Sequence, residues 1–145
     1  MGYTSMTEPD WRAFLASSPA RPALLATTRK DGRPHVAPIW YDTDDDGTIV
    51  FNTGAETLKG RSIRRTGQVA LCVQDDEAPF SFVSIEGTAE VVDDLDEVRR
   101  WAARIGARYM GADRAEEYGA RNGVPGELLV RVTPTNVVAK KDVAD

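Results

Sequence analysis

Two strand-forming runs, Pro22 to Arg29 and Pro34 to Tyr41, meet at Lys30-Asp31-Gly32-Arg33. An Asp-Gly pair between such runs marks a tight β-hairpin, expected here with a type I′ turn, and it is the firmest local constraint on the fold. A second turn at Asp44-Asp45-Asp46-Gly47 leads to a third run, Thr48 to Thr53, so the three strands are expected to form an antiparallel meander. The clustered aspartates lack the further oxygen ligands and distal Glu of a calcium loop, which favours a solvated turn.

Two further strands are expected at Gln68 to Gln74 and Ser81 to Val92, around the acidic turn Asp75 to Pro79, with Gly87 marking a bend or bulge. After Asp93 the period changes. Leu95, Val98, Trp101/Ala102, Ile105 and Tyr109 recur every three or four residues, as on an amphipathic helix whose stripe serves the core or a dimer contact. A short helix is expected at Asp113 to Arg121, ending at Asn122-Gly123, and one or two closing strands at Glu127 to Val132 and Asn136 to Ala139. Near the N-terminus, Thr7 and Asp10 are placed to cap a helix over Pro9 to Ala16, with little order expected before Met6. The fold class is therefore mainly β with helical elaborations: six to seven antiparallel strands in a small barrel, forming one domain over residues 1–145.

Against a net charge of -5, Thr57-Leu58-Lys59-Gly60-Arg61-Ser62-Ile63-Arg64-Arg65 places four cations within seven residues, directly after the third run. A short helix opening here aims free N–H groups and a positive dipole end at an anion; the alternative is a solvated basic face. Helical geometry puts Leu58 and Ile63 toward the protein body with Lys59 and Ser62 between them, and Arg65 at the border. Gly60, Arg61 and Arg64 project from the other side. A Lys drawn toward a low-dielectric groove needs an anionic partner.

The acidic balance, with a pI near 4.9, argues against nonspecific binding to nucleic acid or to an anionic membrane. No run reaches the roughly 20 apolar residues of a membrane span and no secretory signal is visible, so a cytoplasmic protein is expected. Cys72 is the single cysteine, expected as a buried thiol, and His35 is the single histidine, expected at a strand start facing solvent. An intramolecular disulfide and a cysteine-based metal site are thereby excluded, a catalytic triad is disfavoured, and no metal site is assigned.

Leu24-Leu25-Ala26-Thr27-Thr28, Asp31-Gly32-Arg33-Pro34-His35-Val36, Ile49-Val50-Phe51-Asn52-Thr53, Lys59 to Arg65 and Val69-Ala70-Leu71 occur in that order. Together they resemble the pyridoxamine 5′-phosphate oxidase-like split β-barrel superfamily, more closely its branch that uses the deazaflavin coenzyme F420. The resemblance spans roughly Ala23 to Val138. It implies an FMN-binding-like split barrel and a homodimer with cofactor in a groove between subunits. It also implies that Pro38, Ile39 and Trp40 run along the ring, that Asn52 and Thr53 end a strand beside the phosphate, and that Lys59, Ser62 and Arg65 contact that phosphate.

The chain also departs from the vitamin B6 oxidases of that superfamily. Its second strand lacks their flanking arginine and lysine, and its C-terminus lacks their Arg-x-His motif. At Ser62 the F420 branch commonly has Asn, so the polar contact is kept but shortened. The implied activity is an F420H2-dependent reductase that transfers hydride to an activated double bond of a hydrophobic small molecule. An FMN-dependent oxidoreductase and a non-catalytic flavin or deazaflavin carrier or sensor are the alternatives. No catalytic residue is assigned. Phe80, Phe82, Tyr109 and Tyr118 are candidates for a substrate mouth or for packing.

Overall fold

The computed structural model describes residues 4–145. In chain order the elements are β1 (Thr4–Ser5), α1 (Glu8–Ala16), β2 (Ala23–Thr28), β3 (Pro34–Ile39), β4 (Asp42–Thr43) and β5 (Ile49–Gly54). There follow α2 (Leu58–Thr66), β6 (Gln68–Asp75), β7 (Ser81–Val92), α3 (Leu95–Met110), α4 (Ala115–Asn122) after a 3₁₀ turn at Ala112–Arg114, and β8 (Glu127–Lys141). Thr7 and Asp10 close the expected capping box on α1. Where little order was expected before Met6, Thr4 and Ser5 pair with Lys141 and Lys140 of β8, while residues 1–3 lie outside the described residues.

The hairpin joins β2 and β3 in the expected place but with different turn chemistry. Gly32 N–H donates to the Arg29 carbonyl at 2.9 Å and Arg29 N–H to that of Arg33 at 2.8 Å. Gly32 has φ +91°, whereas Asp31 is not among the non-glycine residues at positive φ. A type I′ turn needs positive φ at both central residues, so this is a three-residue loop, a type I turn closed by a bulge glycine. Asp44 to Thr48 repeats the arrangement: Gly47 (φ +87°) N–H bonds Asp44 O, and Asp44 N–H bonds Thr48 O, both at 3.0 Å.

All eight strands belong to one antiparallel sheet, ordered β3-β2-β6-β7-β8-β5-β4 with β1 on β8. The expected meander is not formed, because β5 pairs with β4 and β8 and not with β3. The linkage explains why. Strands β3 and β4 stand at opposite ends of the path, six spacings or about 29 Å apart if flat, yet only Trp40 and Tyr41 separate them, a reach of about 11 Å. The sheet must curl until its two ends approach, and it forms the split barrel that the family resemblance implies. Gly87 lies at the register shift between β7 and β8, where a Cβ would press on Val132 and the Thr133 carbonyl.

Inside the barrel, Leu25, Phe51, Leu71, Ile85 and Val130 are wholly buried, with Trp11 and Leu15 of α1 closing one end. Each such side chain contributes roughly 1.5–3 kcal/mol of burial. The α3 stripe is spent within the subunit: Val98 and Trp101 pack on Val50 and Leu129, covering the outer face of β5 and β8. Strand β5 is therefore apolar on both faces. Across β2, β3 and the far end of β8 the outer face stays bare, with Leu24 49%, Val36 59% and Val138 46% exposed. Cys72 lies on this face, half-buried rather than buried, because Leu71 and Val73 take the inward positions of β6. No helix among the described residues is long and apolar enough to cross a membrane.

Candidate functional site

At the mouth of the curled sheet the end of β3, the end of β5, the start of α2 and the α3–α4 pair enclose a cavity of about 300 Å³. Pro38, Ile39, Trp40, Ala102 and Ile105 form its apolar wall; Asn52, Thr53, Thr57, Lys59 and Glu127 form its polar one.

The polar wall is held by α2's first turn. Thr57 caps the helix, its Oγ1 accepting from Gly60 N–H at 3.1 Å and donating to the Gly54 carbonyl at 2.7 Å. Gly60 was expected on the outer side of the helix but is buried, since α2 rides so close over β5 that a Cβ there would overlap the Gly54 carbonyl. Among the described residues the N–H groups of Leu58 and Lys59 carry no partner, and Lys59, half-buried in the cavity, forms no ion pair. Free donors, the positive end of the helix dipole and an unpaired ammonium all belong to the first turn of α2, which is the chemistry of an anion site.

The apolar wall is equally fixed. Trp40 stacks on Tyr109 with ring centroids 5.0 Å apart and planes 3° from parallel, and Tyr118 meets it at 5.7 Å, tilted. Tyr109 Oη donates to the Arg21 carbonyl at 2.7 Å and accepts from Tyr41 N–H at 3.3 Å, which anchors the stack. Burial raises the Tyr109 phenol above its ordinary range, against the pull of its bond to Tyr41 and of Arg108. Trp40 remains 37% exposed.

Six of the eight residues singled out from sequence, Pro38, Ile39, Trp40, Asn52, Thr53 and Lys59, therefore line one cavity. Ser62 and Arg65 lie outside it. Ser62 is wholly buried beneath α2 and its Oγ has no partner, while Arg65 donates to the Thr28 carbonyl. Arg61 and Arg64 are exposed, as the helical geometry requires. His35 differs from expectation: it points inward opposite Thr27, half-buried, with Nδ1 unpartnered. Tyr109 and Tyr118 support Trp40, whereas Phe80 and Phe82 are not part of the cavity. Sequence reasoning missed Thr57 as the cap and Glu127; only the Gly54↔Glu127 pairing of β5 with β8 brings that carboxylate here.

The fold and this cavity define a split-barrel protein of the pyridoxamine 5′-phosphate oxidase-like class. The pyridoxamine 5′-phosphate oxidase family model matches residues 7–141, and the chain belongs to that family. It is 30% identical to a pyridoxine/pyridoxamine 5′-phosphate oxidase of Rhizobium etli, over 89% of this chain and 74% of that one. It is 35% identical to an F420H(2)-dependent biliverdin reductase of Mycobacterium tuberculosis, over 73% of this chain and 74% of the relative. Among solved structures, a conserved hypothetical protein of Mycobacterium tuberculosis superposes with a TM-score of 0.79 at 28% identity, covering 92% of this chain and 84% of the other. An F420 reductase superposes with a TM-score of 0.68 at 26% identity, covering 86% and 94%.

Proposed function

We propose that this protein is a cytoplasmic F420H2-dependent reductase, acting as a homodimer on an activated double bond of a hydrophobic small molecule. The observation that carries the reading is the unpaired Lys59, at an open helix N-terminus, sharing one cavity with the apolar Pro38–Trp40 wall. Bound reduced F420 supplies a hydride from its central ring. Lys59 and the Leu58 and Lys59 amides hold the phosphate, while Ile39, Ala102 and Ile105 keep water from the ring and the Tyr109 stack holds Trp40 in place. Arg61 and Arg64, on the exposed side of α2, meet the polyglutamate tail.

A cavity of about 300 Å³ is at the small end for a ligand site, so much of so large a cofactor must lie beyond it. The bare outer face carrying Leu24, Val36 and Val138 is a surface on which a second copy can seat, and it replaces the α3 stripe as the argument for a dimer. Sedimentation is expected to give a dimer at micromolar protein, and Val36→Glu to shift it toward monomer; a wild-type monomer that binds cofactor tightly refutes the two-chain site.

An FMN-dependent oxidoreductase is the second reading, favoured by the extent of the match to the Rhizobium oxidase. Titrating purified protein with F420, FMN and FAD, then following turnover of the bound reduced form, separates the two. Tighter F420 binding and F420H2 oxidation by an unsaturated acceptor are expected. Copurification with stoichiometric FMN assigns the second reading instead.

A further inference from the structure

Glu127 is a carboxylate in a cavity read as an anion site, and its position is fixed by backbone rather than by chance. As the first residue of β8 it pairs with Gly54, its N–H donates to the Val124 carbonyl at 3.1 Å, and the preceding Gly126 carbonyl accepts from Ala55 N–H at 2.8 Å. A Cβ placed on Gly54 would lie 3.8 Å from Glu127 Oε1 and 3.1 Å from Thr57 Cγ2, so the carboxylate stands beside the cap of α2. Lys59 is the charge it faces in the cavity; β3, β5, α3 and α4 contribute only uncharged residues there. Arg99 of α3 reaches the connection before β8, but its guanidinium is spent on the Gly123 carbonyl at 3.0 and 3.2 Å. Among the described residues Glu127 has neither an ion pair nor a side-chain hydrogen bond, and Lys59 has no ion pair.

One cation and one anion leave the site with no net charge. A ligand bearing a single negative charge is balanced by Lys59, and every further charge is repelled by Glu127 without compensation. Phosphodiesters carry one charge at neutral pH, whereas phosphomonoesters carry between about 1.5 and 2. We propose that Glu127 makes the cavity select singly charged phosphodiesters, the linkage in F420, over phosphomonoesters such as FMN, and that anion binding there shifts Glu127 part of the way to its neutral acid, further for a doubly charged ligand than for a singly charged one. This rests on the reading of Lys59 as the anion's partner. Burial already pushes the Glu127 carboxyl above its ordinary value and Lys59 pulls it back; an anion that engages Lys59 cancels the pull and leaves burial to act alone. The sign follows. Affinity for a diester is highest where Glu127 is protonated and falls as pH rises through its titration.

The test is direct titration of wild type, Glu127→Gln and Lys59→Ala with F420 and with FMN between about pH 5 and pH 8 at fixed ionic strength. Glu127→Gln is expected to tighten FMN roughly ten-fold and F420 no more than roughly three-fold, and to flatten the F420 profile, whose diester does not titrate in this range. Calorimetry of F420 binding to wild type in buffers of different ionisation enthalpy is expected to show proton uptake, a readout that needs no variant to fold. An unchanged F420-to-FMN ratio in Glu127→Gln, or no proton uptake, overturns the role of Glu127; if Lys59→Ala has meanwhile lost both ligands, the anion site stands without it. Wild-type affinity in Lys59→Ala overturns the anion site and this inference together.

Discussion

The cations of α2 and the arginines of α3 and β8 look alike in sequence and differ in what they are given to bind. Arg104 bonds Asp42 at 3.0 Å and the Thr43 carbonyl at 2.8 Å while lying over the Trp101 ring. Arg108 donates to the Tyr41 carbonyl at 2.6 Å and the Leu15 carbonyl at 2.7 Å, and Arg131 bonds Asp44 at 2.8 Å. These guanidinium groups tie the helical layer to the sheet and to α1. On α2, by contrast, Lys59, Arg61 and Arg64 have no carboxylate partner among the described residues, and Arg65 finds only a backbone carbonyl. Charge density alone does not mark a site. What marks it is charge that the fold leaves unanswered, beside donors that are also unanswered.

The sharpest way to break this contrast is to delete one cation from each set. Arg108→Ala removes a largely buried guanidinium and the donors it supplies to the Tyr41 and Leu15 carbonyls. A loss of about 2–4 kcal/mol of stability is expected, read as a fall in melting temperature of roughly 5–15 °C, with the affinity of the folded protein for F420 kept within about two-fold. If Arg108→Ala melts like wild type and fails to bind cofactor, the structural set has been misassigned.

Lys59→Ala should do the reverse. Among the described residues the Lys59 side chain makes no ion pair or hydrogen bond, so the melting temperature is expected to hold, while loss of a charge-assisted phosphate contact costs about 1.5–3 kcal/mol, one to two decades in dissociation constant. Calorimetric or fluorescence titration with F420, paired with a thermal melt, reads both quantities. A Lys59→Ala protein that binds normally removes the observation on which the proposed function stands.

How legible this was in the sequence varied with the range of the interaction concerned. Local signals carried well: the Thr7 and Asp10 capping box, the glycine turns at Gly32 and Gly47, and the period of α3 each depend on residues within a turn or two of one another. The inward placement of Lys59 followed from helical angle alone. Gly60 did not, because its burial is set by the approach of α2 to the Gly54 carbonyl, a contact between elements. The same limit explains the meander. Nothing local in Trp40-Tyr41 distinguishes a turn between neighbouring strands from a bridge across the mouth of a curled sheet, which depends on β8 taking the edge of β5. Glu127 entered the cavity by that pairing too, and Ser62 was carried too deep to line it.

The smallest effect expected within the contrast lies on the exposed side of α2. Arg64 is solvent-facing and makes no ion pair, so Arg64→Ala should leave stability unchanged. If it meets the polyglutamate tail of F420 across water, its deletion should weaken F420 by roughly two- to three-fold at low salt, by less as ionic strength rises, and should leave FMN, which has no such tail, unaffected. Titration of both ligands at about 0.05 and 0.5 M salt separates this screened attraction from a direct contact, since a desolvated phosphate contact loses much less to salt. A decade lost for both ligands at both salt concentrations would place the phosphate on the outer face of α2, away from Trp40, and would turn the comparison between paired and unpaired cations against the cavity itself.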